Sequence, residues 1–253
     1  MRILICFLAA LLFGCNSFGG GKTFQYSTIN SLLNGNYNGS FSLEELRKHG
    51  DFGIGTYQNL DGEMLLLDGI FYQIRADGNI AKPEAAFKTP FAVVTNFSKD
   101  IVCKTGGAVT DLKALYELLD KNIPTVNLVF AVRIEADCAY IKTRSVPAQE
   151  KPFKPLVAVT KDQPLFEYKN IKGVLAGFRF PAFAENINVP EYHFHFISED
   201  RTKGGHVLEV KLKSAEIQIS ASHNFELCLP GTEEFYKSNI SGNNRNEINK
   251  TEK

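Results

Sequence analysis

The chain has 253 residues, 44% of them hydrophobic and 22% charged, with 28 Lys and Arg balanced by 28 Asp and Glu. That composition excludes disorder, collagen and coiled coil, and a net charge of zero supplies no general attraction for phosphate backbones, so nucleic acid finds no support as a partner. At this length one large domain or two smaller ones can each bury a core.

Residues 1–20 read as an export signal. Arg2 is followed by eleven apolar residues, 3–13, too few for the roughly 20 that a membrane-spanning helix needs. Leu12-Phe13-Gly14-Cys15 resembles a bacterial lipobox, which would leave the mature chain, 21–253 with a short linker, lipid-anchored at Cys15. Phe13 is bulkier than that pattern usually carries, and simple secretion is the alternative. Both place the protein outside the cytoplasm, with a lipid anchor as its one expected membrane contact. Without Cys6 and Cys15 the cysteines are Cys103, Cys138 and Cys228. They lack C-x-x-C spacing and read as small core residues, with at most one disulfide among them.

Along the mature chain, residues 16–22 form a Gly-rich linker. Ser42 with Glu45 makes a capping box that opens a short helix over 42–48, and Gly50 stands where it stops. Residues 64–67 and 70–74 are strands joined at Asp68-Gly69, a hairpin turn, and Asp77-Gly78 turns again. A strand is expected near 91–94. Thr110 should cap a helix over 111–120, where Leu112, Leu115, Leu118 and Leu119 fall at helical spacing. Residues 126–135 and 139–146 read as a pair of strands. The segment 151–164, with Pro152, Pro155 and Pro164, is the best candidate for a connection between subdomains. Short strands follow at 165–168, 173–180, 192–198, 206–213, 216–222 and 225–229, and a last short helix at 231–237. The polar tail, 239–253, has little to bury and should be mobile unless something docks its end. Few helices among many short strands predict an α+β fold of mixed and antiparallel sheets in two subdomains.

Only five histidines occur, and three lie within fourteen residues: Tyr192-His193-Phe194-His195-Phe196, a polar run, then Gly204-Gly205-His206. On a strand His193 and His195 share one face while Tyr192, Phe194 and Phe196 share the other. A hairpin through residues 198–205 would bring His206 to them. Three neutral imidazoles suit zinc and leave a coordination position open, the arrangement of a catalytic site. Against this stands the bland reading of H-x-H as surface histidines, which a third histidine across a Gly-Gly turn disfavours. His193-x-His195-x3-Glu199 also fits the first half of the cupin metal motif, although the glycine expected seven residues after the glutamate is His206. His49 and His223 read as surface or capping residues.

A metal centre needs partners for protons and charge. Glu63, in Asp61-Gly62-Glu63-Met64, puts a carboxylate at the start of an apolar strand, and Arg144 shares a strand face with Tyr140 and Lys142. The arginine could clamp a substrate carboxylate by a bidentate pair. Solvated strand ends and a solvated edge strand are the alternatives.

Together with Gln25-Tyr26-Ser27-Thr28, the run 49–57 from His49-Gly50-Asp51 to Gly55-Thr56-Tyr57, Lys142-Thr143-Arg144-Ser145-Val146-Pro147 and the run 187–196, these motifs resemble the α-acetolactate decarboxylases in order over nearly the whole mature chain. The resemblance implies a zinc site between the subdomains that converts 2-acetolactate to (R)-acetoin and carbon dioxide through a metal-stabilised enediolate. It implies His193, His195 and His206 as zinc ligands, Glu63 and Thr56 as active-site groups, and Arg144 as the group that binds substrate and delivers a proton. It also implies a glutamate near the C-terminus. Glu252 is chosen by its spacing from the histidines, with Glu247 as the alternative. A homodimer is a further implication. The competing readings are an exported metal-binding lipoprotein of the same fold without turnover, and a hydrolase using zinc-bound hydroxide.

Overall fold

The computed structural model describes residues 21–242 and 244–252. The export leader, with its lipobox, lies outside the described residues. Thirteen strands are present among them: β1 Gly21–Tyr26, β2 Phe41–Ser42, β3 Phe52–Thr56, β4 Glu63–Leu67, β5 Ile70–Ile74, β6 Ile80–Ala81, β7 Lys88–Thr89, β8 Ala92–Thr95, β9 Ile101–Lys104, β10 Val129–Arg144, β11 Leu165–Phe180, β12 Glu191–Ser198 and β13 Gly204–Cys228. The helices are α1 Ile29–Leu33, α2 Leu43–Arg47, α3 Leu112–Asn122, α4 Leu156–Val159, α5 Glu233–Lys237 and α6 Arg245–Thr251. None of them is long and apolar enough to cross a membrane.

Eleven strands form one sheet along the path β10-β11-β12-β13-β1-β8-β3-β4-β5-β6, with β9 added on β13 and β2 pairing β7 apart from it. Every described pairing is antiparallel except β1 with β13. This is the α+β class with mixed and antiparallel strands. The sheet has two halves, β10–β13 and β1–β8–β3–β4–β5–β6, joined where β1 lies along the end of β13. In the first half β13 also pairs back onto β10, so those four strands close a ring.

Residue parity sets which layer each side chain enters. Leu65, Leu67, Tyr72 and Val93 of one half pack against Val129, Ala131, Ala176, Phe178 and Ile197 of the other, so the inner faces of the two halves form a shared core. Phe130, Val132, Ile134, Tyr192, Phe194 and Phe196 point outward and are covered by Leu115 and Leu119 of α3. Met64, Leu66 and Val94 point away from the shared core toward Leu43 and Leu46 of α2. Strand β4 is buried on both faces, which is why it reads as an unbroken apolar run. A fourth apolar cluster from α1, α4 and α6, with Leu60, Phe91 and Val146, closes one end of the molecule. The proline-rich 151–164 segment carries α4 in this cluster.

Local signals place α2 with its capping box, the β4–β5 hairpin and α5 as expected. Four expectations are corrected. Asp111 is the cap of α3: its carboxylate accepts from Ala114 N at 2.8 Å while Thr110 donates to it. Residues 126–135 and 139–146 are not a pair but parts of β10, whose partners are β11 and β13. The polar interruption near Asp137 is absorbed as register shifts against β13 rather than as a turn. In the same way 165–168 and 173–180 merge into β11, and the three segments from 206 to 229 into β13. The tail is docked: Ile248, Thr251 and Glu252 are buried. Cys103, Cys138 and Cys228 are free thiols, with Cys138 in the core.

Leu119 of α3 is fully buried and packs on the face of β12 opposite the histidines. Leu119→Ala should therefore lower stability by about 2–5 kcal/mol in denaturant unfolding while leaving metal content unchanged.

Candidate metal centre

His193 and His195 have the parity of Ile197, so they face the second half of the sheet, while Tyr192, Phe194 and Phe196 pack under α3. His195 pairs with His206 across the β12–β13 ladder. Gly205 makes that register attainable. It has φ +139°, and a Cβ there would stand 2.4 Å from Arg144 O, too close for any other residue. One ring nitrogen of each histidine lies within 4.8 Å of the others.

All three imidazoles are buried and held neutral. Burial pushes His193 and His206 well below the usual range, aided by neighbouring histidines and Arg144, and brings His195 down to about 3. His195 Nδ1 lies 2.8 Å from Met64 O, and since a carbonyl only accepts, Nδ1 carries the proton and Nε2 presents a lone pair. That lone pair has no hydrogen-bond partner among the described residues and lies 3.4 Å from Glu63 Oε2, another acceptor. His193 Nε2 and His206 Nδ1 are 2.9 Å apart and lie 3.6 and 3.7 Å from Glu252 Oε2. Bonds of about 2.0–2.1 Å to a tetrahedral zinc separate ligand nitrogens by roughly 3.3 Å, a value the cluster's spacing brackets. The 2.9 Å contact between His193 and His206 is a hydrogen bond in which one of the two nitrogens donates; a cation would take that proton's place, and three buried neutral imidazoles fit zinc.

Glu63 and Arg144 come from opposite halves of the sheet. Glu63 opens β4 opposite Thr56 of β3, and the turn before it is fixed by Gly62. At φ +82° Gly62 receives the Thr56 hydroxyl on its carbonyl at 2.8 Å and donates its N–H to Val146 O at 3.1 Å. A Cβ there would stand 2.3 Å from Ile74 O. Thr56 thus lines the site with its proton committed to Gly62 O; its geometric contribution is to aim Glu63. Arg144, 2% exposed, ends β10, which is paired on both sides, so the solvated-edge reading fails.

Arg144 Nη1 donates to Glu63 Oε1 at 3.0 Å, and Nη2 donates to Thr251 O at 2.8 Å and to Glu252 Oε2 at 3.2 Å. Burial raises the Glu63 pKa, opposed by Arg144 and the Val146 N–H, and raises Glu252 to about 7, opposed by Arg144 and assisted by Glu63. One guanidinium serves two buried carboxylates, and burial raises the pKa of both. The tail glutamate at the site is Glu252; Glu247, its alternative, is half-buried on α6 and is not among the residues lining the cavity. The remaining walls are apolar, among them Leu32, Leu60, Phe91, Val146 and Leu156. Glu199 is exposed, which removes the ligand on which a cupin centre would depend. His49 stacks on Phe24 at 3.7 Å between centroids, and His223 is exposed.

Residues 23–242 match the family model described as alpha-acetolactate decarboxylase. The chain belongs to the alpha-acetolactate decarboxylase family. The alpha-acetolactate decarboxylase of Methanosarcina mazei is 41% identical over 230 residues, covering 91% of this chain and 80% of that protein. The Bacillus subtilis alpha-acetolactate decarboxylase is 40% identical over 219 residues, 87% of this chain and 86% of that protein. The crystal structure of alpha-acetolactate decarboxylase from Bacillus subtilis strain 168 superposes with a TM-score of 0.89 at 38% identity, covering 91% of this chain and 99% of that one.

If these nitrogens are the ligands, His195→Ala should lose bound metal by elemental analysis while its far-ultraviolet dichroism stays native. Retained metal would remove His195 from the centre.

Proposed function

We propose that this family member decarboxylates 2-acetolactate to acetoin and carbon dioxide at a zinc ion held by His193, His195 and His206. Family membership supports the reaction. The observation that carries the site reading is the buried Arg144, hydrogen-bonded to Glu63 and Glu252 beside three neutral imidazoles. A bound zinc would supply a Lewis acid next to the substrate's hydroxyl and carbonyl oxygens, where negative charge develops as the bond to the carboxylate breaks.

The chain's own groups do the rest. The Arg144 fork binds the substrate carboxylate and fixes the plane of the bond that will break. Glu63, 3.4 Å from His195 Nε2, is placed to accept the proton of the substrate's tertiary hydroxyl. Carbon dioxide leaves without the bonding electron pair, and the carbon that keeps it takes up one proton, so the balance is one substrate anion and one proton to acetoin and carbon dioxide. Glu252, which accepts from Arg144 Nη2 at 3.2 Å in the substrate-free centre and whose pKa burial raises to about 7, is the carboxyl that brings this proton back to the side the carboxylate vacates, with the Arg144 N–H groups directing it. Delivery from that side alone would yield a single enantiomer, (R)-acetoin by the family resemblance. The walls of Leu32, Leu60 and Phe91 exclude water and accept the two methyl groups.

A metal-binding protein without turnover would need neither Glu63 nor Arg144, and burying the two charges is costly even as a pair. Export through the 1–20 leader belongs to the same proposal; a diffusible precursor would then be converted outside the cytoplasm.

Zinc-loaded protein incubated with racemic acetolactate should form acetoin. Arg144→Ala should keep its metal and lose turnover by about a hundredfold or more, measured as acetoin formation against metal content. No product from fully loaded protein would overturn the assignment.

A further inference from the structure

The centre is closed in this conformation. Glu63, Arg144, Glu252 and the three histidines are each at most 7% exposed, and the cavity among them has room for about one water, about 20 Å³. A substrate of nine non-hydrogen atoms cannot occupy it, so a wall must move. Most walls belong to paired strands and the turns beside them, and the rest to α1, α4 and α6. Of these helices α6 is the one whose end bonds to the charged groups of the centre. It has seven residues, no side-chain cap, and Ile248 as its buried apolar side chain. A helix that short does not hold itself together in water. Its hold on the centre is the pair of bonds from Arg144 Nη2 to Thr251 O and Glu252 Oε2.

We propose that α6 is a strap released by the substrate's own negative charge, an inference that rests on Arg144 being the carboxylate-binding group. In the closed protein Glu252 occupies the Nη2 position on Arg144, and the fork cannot serve both carboxylates there. An entering carboxylate displaces Glu252, and α6 loses the contact that holds its end. Decarboxylation then removes the competitor. The product is neutral, so Glu252 returns to Arg144, the strap closes and acetoin is expelled. The strap therefore responds to charge at one end of the ligand, and a neutral ligand of similar size does not open it.

The test uses the zinc-loaded full chain with 2-hydroxy-2-methylpropanoate, an α-hydroxy acid anion that lacks the keto group and cannot lose carbon dioxide by this route. The α6 amides of Glu247, Ile248 and Glu252, bonded to Asn244 O and Ile248 O at 2.8–2.9 Å, report opening by hydrogen exchange. Exchange there should accelerate at saturating acid, with saturation set by calorimetry, and stay unchanged with acetoin. Unchanged or slower exchange with bound acid would overturn the strap, as would equal acceleration by acetoin. Ile248→Ala, which removes the apolar anchor of α6 among Leu32, Leu156 and Val159 but no charged group or imidazole of the centre, weakens the closed state, so it should bind the acid about tenfold more tightly than wild type. Equal or weaker binding would overturn the proposal, whereas a merely structural role for Ile248 predicts weaker binding. If the variant fails to fold, the exchange measurement on wild type decides alone. Acid-induced release without acetolactate turnover would reject the decarboxylase reading and keep the strap; turnover without release would reject the strap alone.

Discussion

Arg144 places one positive charge, 2% exposed, among two carboxylates and three imidazoles. A guanidinium cannot deprotonate to relieve its burial, so it is tolerable only with its donors satisfied and its charge balanced. The structure meets that demand from two directions. Glu63 arrives from β4, aimed by the Gly62 turn and the Thr56 hydroxyl, and Glu252 arrives from the far end of the chain. The same charge, together with burial, keeps His193, His195 and His206 neutral and therefore able to donate lone pairs. Burial is the larger cause of that neutrality, and the Arg144 charge adds to it.

The folded-over sheet is what allows that side chain to be buried at all. Its two halves share an apolar core of Val129, Ala131, Val174 and Ile197 against Leu65, Leu67 and Val93, and at one end the same residue parity delivers polar groups instead. His193 and His195 sit four and two residues before Ile197 on one face of β12, with the ladder running unbroken through all of them. No separate loop is needed to present them, so the ligands inherit the rigidity of a strand paired on both sides.

The histidines, the capping box of α2 and the β4–β5 hairpin were legible because each signal is local: a period of two, a four-residue box, a turn dipeptide. Strand lengths were not. Asp137 in β10, Asn170 in β11 and the polar residues of β13 read as breaks, whereas the ladders pass through them with register shifts or a positive φ at Asn170. A turn and a bulge share the same residue types, and only the partner strand distinguishes them. Glu63 carried a legible clue, a charge opening an apolar run, but the Thr56 hydroxyl's role depends on Gly62 O, which no sequence spacing reveals. Glu252 was assignable through the family alone. Its burial depends on Ile248 entering the cluster of Leu32, Leu156 and Val159, and one isoleucine in a polar tail carries no periodicity.

The docking of that tail and the completion of the centre are one event. Helix α6 has too few residues to be stable alone, and Ile248 supplies one apolar anchor, so its position depends on the bonds it makes to Arg144. Arg144 in turn needs the tail, because without Glu252 and Thr251 O its Nη2 loses both acceptors while staying buried. Mutual dependence of this kind makes the local free energy of opening small compared with that of the sheet. A centre built only on β10, β12 and β13 would be rigid but closed. Placing the last carboxylate on the least stable element keeps the metal ligands fixed and confines motion to the group that has to make way.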